Sequence, residues 1–419
     1  MSLIRKYYVA KWDAITQQWG RLGTGSNALN ANNGICKIIA DDNNNIYAAG
    51  DFTYMDTSHH NLQYVAKWDA AAGTWMRLGD GMQGGISCLC IDDSGYVYAA
   101  GHFYDSHGFY YVCKWTGTNW QTLGNLNANL FINSICVDDS FNVYAAGNFS
   151  DFSGHQYVAK WNHFTGLWEK LGSGFFADST DVDITSIFVD SIHNVFAAVN
   201  FIHLISGNYI SNIFKWDGVS WSLLGLLNGN NGITNICKRD SGYIYATGGI
   251  TDTTGNVYVA QWNPLTMQWG KVGSGDNAYF FHPYGTGIFT LCTDKNNRLY
   301  AGGSFTDSIL PTYYNYVAEY GINNLAVTEL KKTIQNIEIY PNPSKYEITI
   351  NILGLNAKNS IMSYALYDLR GKIYSGGVMC NVDKRTKINI RELPEGYYFL
   401  QIYENDEEIN IFKIIKNSY

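Results

Sequence analysis

The side chains best equipped for chemistry fall in irregular stretches. His59, His60, His107 and His155 stand in short polar segments. Phe175 and Phe176, and the run Tyr279-Phe280-Phe281-His282, stand in two longer ones. An imidazole can move a proton near neutral pH or ligate a metal. An exposed aromatic ring can stack on a sugar or anchor a protein surface. No Gly-x-Ser-x-Gly, His-Glu-x-x-His or phosphate-loop signature accompanies them. A carboxylate pair for glycoside hydrolysis leaves no local signature, so that chemistry stays open.

Cys90, Cys136, Cys237 and Cys292 share one repeat position with Ile39 and Phe188. That interchange marks an apolar site, so buried free thiols are expected. Cys88-x-Cys90 lacks the second ligand pair that zinc favours. Asp41, Asp92, Asp138, Asp190 and Asp294 precede Asn/Ser/Gly-rich turns, and their oxygens are expected to accept turn N–H groups. None has the spacing of a calcium loop. No metal or cofactor is expected.

These groups need a scaffold, and tryptophan reveals it. The 12 tryptophans form six pairs, at 12/19, 68/75, 115/120, 161/168, 216/221 and 262/269, and each second member begins Trp-x-x-Leu/Val-Gly. Four segments make one repeat. Segment a is an apolar run such as Ile35–Asp41; segment b is the Tyr-Ala-Ala-Gly type; segment c ends Tyr-Val-Ala-Lys-Trp; segment d is Trp-x-x-Leu-Gly. The b-segment aromatics Tyr47, Tyr98, Tyr144, Phe196, Tyr245 and Tyr300 recur every 46–55 residues. Short β-rich segments with glycine punctuation at this period predict four-stranded propeller blades. The lysines of segment c (11, 67, 114, 160 and 215) suit strand edges, where they deter unwanted pairing.

There are six a, b and d segments but seven c segments. Trp19–Gly23 could complete a sixth blade. Alternatively, seven blades exist in a parent chain that has lost an a–b pair and a signal peptide; the surplus strand and the start at Met1 without an apolar leader favour this. In such a meander the b–c and d–a connections share one face, and the histidines and aromatic runs sort to it. Variable loops on a rigid frame are the usual seat of binding. Function is expected where the repeat fails, at 175–183 and 274–287.

Composition supports an all-β chain. Aromatic content of 15% and 42 glycines suit short strands and turns. A net charge of −8 disfavours nucleic acid as a partner. No apolar run reaches the ~20 residues of a transmembrane helix.

The text of the repeat resembles propeller repeats of secreted bacterial proteins and the kelch-like repeats of fungal cell-polarity markers. This implies a fold and leaves activity open. After residue 320 tryptophan disappears and Lys and Glu rise. Residues 321–335 read as a linker, and 336–419 as a small immunoglobulin-like β-sandwich. That tail resembles the type A C-terminal sorting domain of type IX secretion cargo. The matching pieces are Pro341-Asn342-Pro343-Ser344, Leu366–Lys372 with Asp368, Gly371 and Lys372, Leu393–Tyr397 with Gly396, and Phe412–Lys416 with Lys413 and Lys416. The resemblance implies export by the type IX machinery and a secreted or outer-membrane surface location.

The expected protein is therefore an all-β, six- or seven-bladed propeller over residues 1–320, followed by the sandwich. It is expected to act as a monomeric glycan- or protein-binding module. A carbohydrate-active enzyme and a passive surface protein are the alternatives.

Overall fold

A computed structural model describes residues 7–13, 18–55, 61–79, 82–172, 182–202, 209–227, 232–239, 242–252, 255–273, 287–294, 298–303, 316–320, 336–353, 362–368, 372–379, 385–404 and 407–417. Five four-stranded antiparallel sheets follow the a-b-c-d order. Sheet one comprises Ile35–Ala40, Ile46–Met55, Asn61–Asp69 and Thr74–Arg77. Sheets two to five occupy 86–122, 132–170, 182–223 and 233–271. A two-stranded ribbon, Ala10–Asp13 with Gln18–Arg21, precedes them. A three-stranded sheet, Ile288–Thr293, Leu299–Gly303 and Tyr316–Tyr320, follows. Gln18–Arg21 pairs with the ribbon rather than with Tyr316–Tyr320.

The repeat motifs are joints between neighbouring sheets. Each a strand packs on the a strand of the next sheet. All six a strands carry a register shift, after the first residue in five of them, as between Ile132 and Ser134, and after the third, Ile184, in sheet four. A bulge turns the extra side chain aside. Ser87 Oγ then donates to Ile132 O (2.8 Å) and Thr185 Oγ1 to Ile233 O (2.7 Å), each in the following sheet. At the next position along, Ser134 Oγ accepts from Ile187 N (3.0 Å), Ser186 Oγ from Ile236 N (3.2 Å) and Asn235 Oδ1 from Leu291 N (2.9 Å). The glycine of Tyr-Ala-Ala-Gly faces this bulge. A Cβ on Gly147 would lie 2.9 Å from Asn133 N and closer still to Phe131 O.

The Trp-x-x-Leu-Gly motif makes the outer joint. The indole N–H of Trp75 donates to Leu22 O (2.9 Å), Trp120 to Leu78 O (2.8 Å), Trp168 to Leu123 O (2.6 Å), Trp221 to Leu171 O (2.9 Å) and Trp269 to Leu224 O (2.6 Å). In every case the acceptor belongs to the preceding unit. The adjacent glycine leaves room for the next unit's c-strand tryptophan: Trp115 rests on Gly79, Trp161 on Gly124, and Trp216 on Gly172. Within each pair the rings meet at 5.4–5.8 Å.

The turn aspartates behave as expected. Asp138 Oδ1 accepts from Ser140 N and Asn142 N, while Oδ2 accepts from Asn142 Nδ2 and the Tyr144 hydroxyl (2.9 Å). Asp41 and Asp92 repeat this arrangement with Tyr47 and Tyr98.

Two expectations need correction. In each of the five four-stranded sheets the c strand is an inner strand, not an edge. Its lysines lie over the b-strand aromatic paired with them: Lys114 over Tyr98 at 5.1 Å, and Lys67, Lys160 and Lys215 over Tyr47, Tyr144 and Phe196 at 5.6–5.9 Å. These are cation–π contacts rather than edge guards. The cysteine column also differs. Cys90, Cys136 and Cys237 are free and at least half-buried, but Cys292 is exposed.

The C-terminal part has a three-stranded sheet, Asn336–Tyr340, Glu347–Leu353 and Arg385–Asn389. Its four-stranded companion is formed by Met362–Asp368, Ile373–Val378, Gly396–Glu404 and Glu407–Lys416. Ile348, Ile350 and Ile388 of the first face Leu366, Leu400, Ile402 and Ile414 of the second across one core.

Candidate functional site

Among the described residues, the ends of the b–c and d–a connections meet where neighbouring sheets join, and this margin is called the rim. At the sheet-to-sheet joints there, the residue after the b-strand glycine position meets the residue that precedes the first isoleucine of the next segment a. That second column reads Gly34, Gly85, Phe131, Asp183, Gly232, Gly287. Phe131 and Asp183 break a glycine series, and both are functionally suggestive.

At Phe131 the rim is aromatic. His102 meets Phe131 at a tilt with ring centroids 4.7 Å apart, Tyr110 meets Phe131 at 5.2 Å, and Tyr104 meets Tyr110 at 5.6 Å. Isolated bridges Tyr104↔Tyr110 and Tyr110↔Ala128 hold the loops that carry these rings. Tyr104 is 56% exposed and Phe131 40%. An aromatic row open to solvent beside polar loops can take the apolar face of a pyranose.

At Asp183 the rim is polar. Asn133 Nδ2 donates to Asp183 Oδ1 (2.9 Å) and to Asn148 Oδ1 (2.8 Å). Burial pushes the Asp183 carboxyl above the usual carboxylate range, against the hydrogen bonds from Asn133 and Asn148. Such a group can hold or deliver a proton.

The residues singled out from sequence divide. Phe175, Phe176, Tyr279, Phe280, Phe281, His282, His59 and His60 lie outside the described residues. His107 and His155 are described, each in its own compact turn. Asp105 Oδ1 accepts from His107 N and Phe109 N, and Asp151 Oδ1 from Ser153 N and His155 N. The rings stay near those carboxylates, at 3.8 and 3.9 Å. Lys170 pairs with Asp151, and that ammonium first, then the turn N–H groups, holds its carboxyl below the usual range. Sequence reasoning missed the ladder. Phe131 in a glycine column was its one readable signal.

In the C-terminal sheets the four sequence pieces become two structural devices. Asn342 Nδ2 donates to Lys413 O (2.7 Å), and Asn342 Oδ1 accepts from Ile415 N (2.9 Å). Ser344 N donates to Ile415 O and Asn417 N to Ser344 O. The Pro341–Ser344 turn thus clasps the last strand, including Lys413 and the buried Lys416. Asp368 accepts from Lys372 N (3.1 Å) and from the Tyr374 hydroxyl (3.4 Å), the same turn geometry as in the repeats. Tyr398 donates to Pro394 O (2.8 Å), pinning the loop before Gly396. Gly371 lies outside the described residues.

Residues 338–417 match the family described as the secretion system C-terminal sorting domain. This part of the chain is a type IX sorting domain, which engages the type IX machinery and marks a secreted or cell-surface protein. No curated protein matches. Among solved structures, a fungal alcohol oxidase of the AA5 family in complex with copper shares 13% identity, over 91% of this chain and 97% of that one, with a TM-score of 0.38. A chain of the mitotic checkpoint complex shares 12% over 71% and 78%, with a TM-score of 0.45. A protein of unknown function from Dyadobacter fermentans DSM 18053 shares 14% over 68% and 92%, with a TM-score of 0.38. Among the described residues no helix is long and apolar enough to cross a membrane.

Proposed function

We propose that this chain is an exported glycan-binding module. In this reading the repeated sheets are blades of a β-propeller, residues 1–320 form that unit, and 336–419 form the sorting sandwich behind the 321–335 linker. The sequential a-strand joints support a ring of blades. The ribbon supports a seventh position, because it receives Trp75 on Leu22 as each blade receives its successor. The unit acts as a monomer.

The observation that carries the binding reading is the row Tyr104–Tyr110–Phe131–His102, built where the repeat otherwise keeps glycine. Aromatic rings supply the stacking surface, and the neighbouring Asn133, Asn148 and Asp183 supply donors and acceptors for hydroxyls. A neutral glycan fits this mixture of apolar face and amide edge. The test is a glycan array followed by titration with the best ligand. Phe131→Gly restores the residue of the series and should fold. Loss of one stacking ring, at about 0.5–1.5 kcal/mol, predicts a two- to tenfold weaker Kd. Unchanged affinity in Phe131→Gly and Tyr104→Ala refutes the glycan site. Capture of a purified surface protein, lost in the same variants, would point to a protein ligand instead.

A hydrolytic reading draws on Asp183, whose raised carboxyl has the character of a general acid. Glycan turnover abolished by Asp183→Asn with binding retained would favour it.

A further inference from the structure

We propose that a second, anion-binding pocket lies on the opposite side of the repeat unit, between sheets four and five and the sorting domain. The site is independent of the glycan rim. A cavity of about 740 Å³ opens there, walled on one side by the a–b turns of sheets four and five. The other wall is the outer face of the sorting domain's four-stranded sheet, including Tyr367 and Tyr403. Leu265 of the sheet-five c–d turn packs with Ala365 and Tyr403 and seals the margin.

Four cations line the cavity: Lys215, Lys238, Arg239 and Lys372. One carboxylate lines it too, that of Asp190, which is occupied within its own turn. Its Oδ1 accepts from Ile192 N and Asn194 N, and its Oδ2 from Asn194 Nδ2 (2.7 Å). It is therefore poorly placed to neutralise the lysines and arginine.

Arg239 is the telling residue. It stands where the other repeats have Asp41, Asp92, Asp138, Asp190 and Asp294. The backbone turn is kept, with Arg239 N donating to Tyr243 O and Gly242 N to Arg239 O. The scaffold thus explains an aspartate here and leaves the arginine unexplained. Its Nε is buried without a hydrogen-bond partner among the described residues. A buried donor left unmade is costly, and a small turn of the side chain toward the adjoining cavity would let an oxyanion satisfy it. The planar fork matches phosphate, sulfate or carboxylate oxygens, and the surrounding ammonium groups favour a doubly charged ligand. The volume exceeds that needed by an inorganic ion, so the ligand class is a small phosphate or sulfate ester.

The test uses the full chain. Inorganic phosphate, sulfate and a sugar phosphate are titrated by calorimetry at constant ionic strength, with chloride as the control. Saturable binding of at least one oxyanion, with none for chloride, is expected. Arg239→Asp restores the residue of the series, so it should fold with an undiminished midpoint while weakening that binding at least tenfold. Arg239→Gln provides the same readout should the aspartate variant fail to fold. Lys372→Gln, on the other wall, should weaken binding several-fold. Phosphate stronger than sulfate indicates a phosphate ester, and the reverse a sulfate ester. Equal oxyanion affinity in wild type and both Arg239 variants, or no saturable binding, overturns the proposal. Full retention in Lys372→Gln overturns the two-walled pocket.

Discussion

Replacing Gly124 with alanine tests the outer joint directly. Gly124 has φ of +58°, and a Cβ there would stand 2.7 Å from Cη2 of Trp161, nearer still to Cζ3. Two costs combine. The left-handed backbone disfavours an L side chain by about 1–2 kcal/mol. Forcing the indole away overpacks the joint, at about 1–3 kcal/mol. The displaced ring also carries Trp168, its partner at 5.7 Å, whose N–H donates to Leu123 O. The sum is about 2–5 kcal/mol. Gly154→Ala is the matched control, since Gly154 has φ of +82° with nothing within 4 Å of its added Cβ. It should lose only the backbone part, about 1–2 kcal/mol. Urea unfolding of both variants, followed by tryptophan fluorescence, measures the gap. Equal destabilisation of the two would show that the glycine serves its own dihedral and not the neighbouring tryptophan.

Burial, then the nearby Asp41 carboxylate, pushes the Tyr47 phenol up to about 12. A raised phenol favours the folded state fully below the unfolded value of about 10, and that contribution disappears as pH climbs towards 12. Urea midpoints between pH 8 and 12 should therefore fall more steeply for wild type than for Tyr47→Phe; parallel curves would contradict this. In the sorting domain, Asn342→Ala removes two hydrogen bonds to the last strand, an expected loss of about 1–3 kcal/mol. Faster amide exchange at Ile415 and reduced export should accompany it, and unchanged exchange would argue against the clasp. Asp183→Asn relieves a desolvated carboxylate, so it should raise the urea midpoint at pH 7 more than at pH 3, and a uniform shift would refute the raised carboxyl.

Much of the scaffold is legible because each repeat segment solves a local problem. Tyr-Ala-Ala-Gly announces a buried b strand, and Trp-x-x-Leu-Gly announces an outer strand. Its meaning as a joint is not local, since Leu123 and Trp168 meet only when two sheets stack. In the C-terminal part, Glu347–Leu353 was readable to the residue from its alternation. Ile373–Val378 escaped because Gly376 and Gly377 interrupt its apolar pattern. The rim ladder was hidden for a different reason. Tyr104 and Tyr110 come from one connection and Phe131 from another, and composition cannot say which rings touch. Asp183 falls inside a stretch that departs from the repeat, yet its carboxyl is raised by burial, against the hydrogen bonds of Asn133 and Asn148 from the preceding sheet, and sequence shows neither. Arg239 was visible as an exception in the aspartate series, but only the cavity beside it gives the exception a purpose.

The Trp–Leu joint always runs from one unit back to the unit before it. Each of the five four-stranded sheets therefore carries a plug on one side and a socket on the other. A gene segment duplicated or deleted in whole-repeat steps would regenerate compatible ends without compensating changes. The number of units in such a chain is thus free to drift over evolutionary time, while the loop residues beyond the Leu-Gly socket diverge independently.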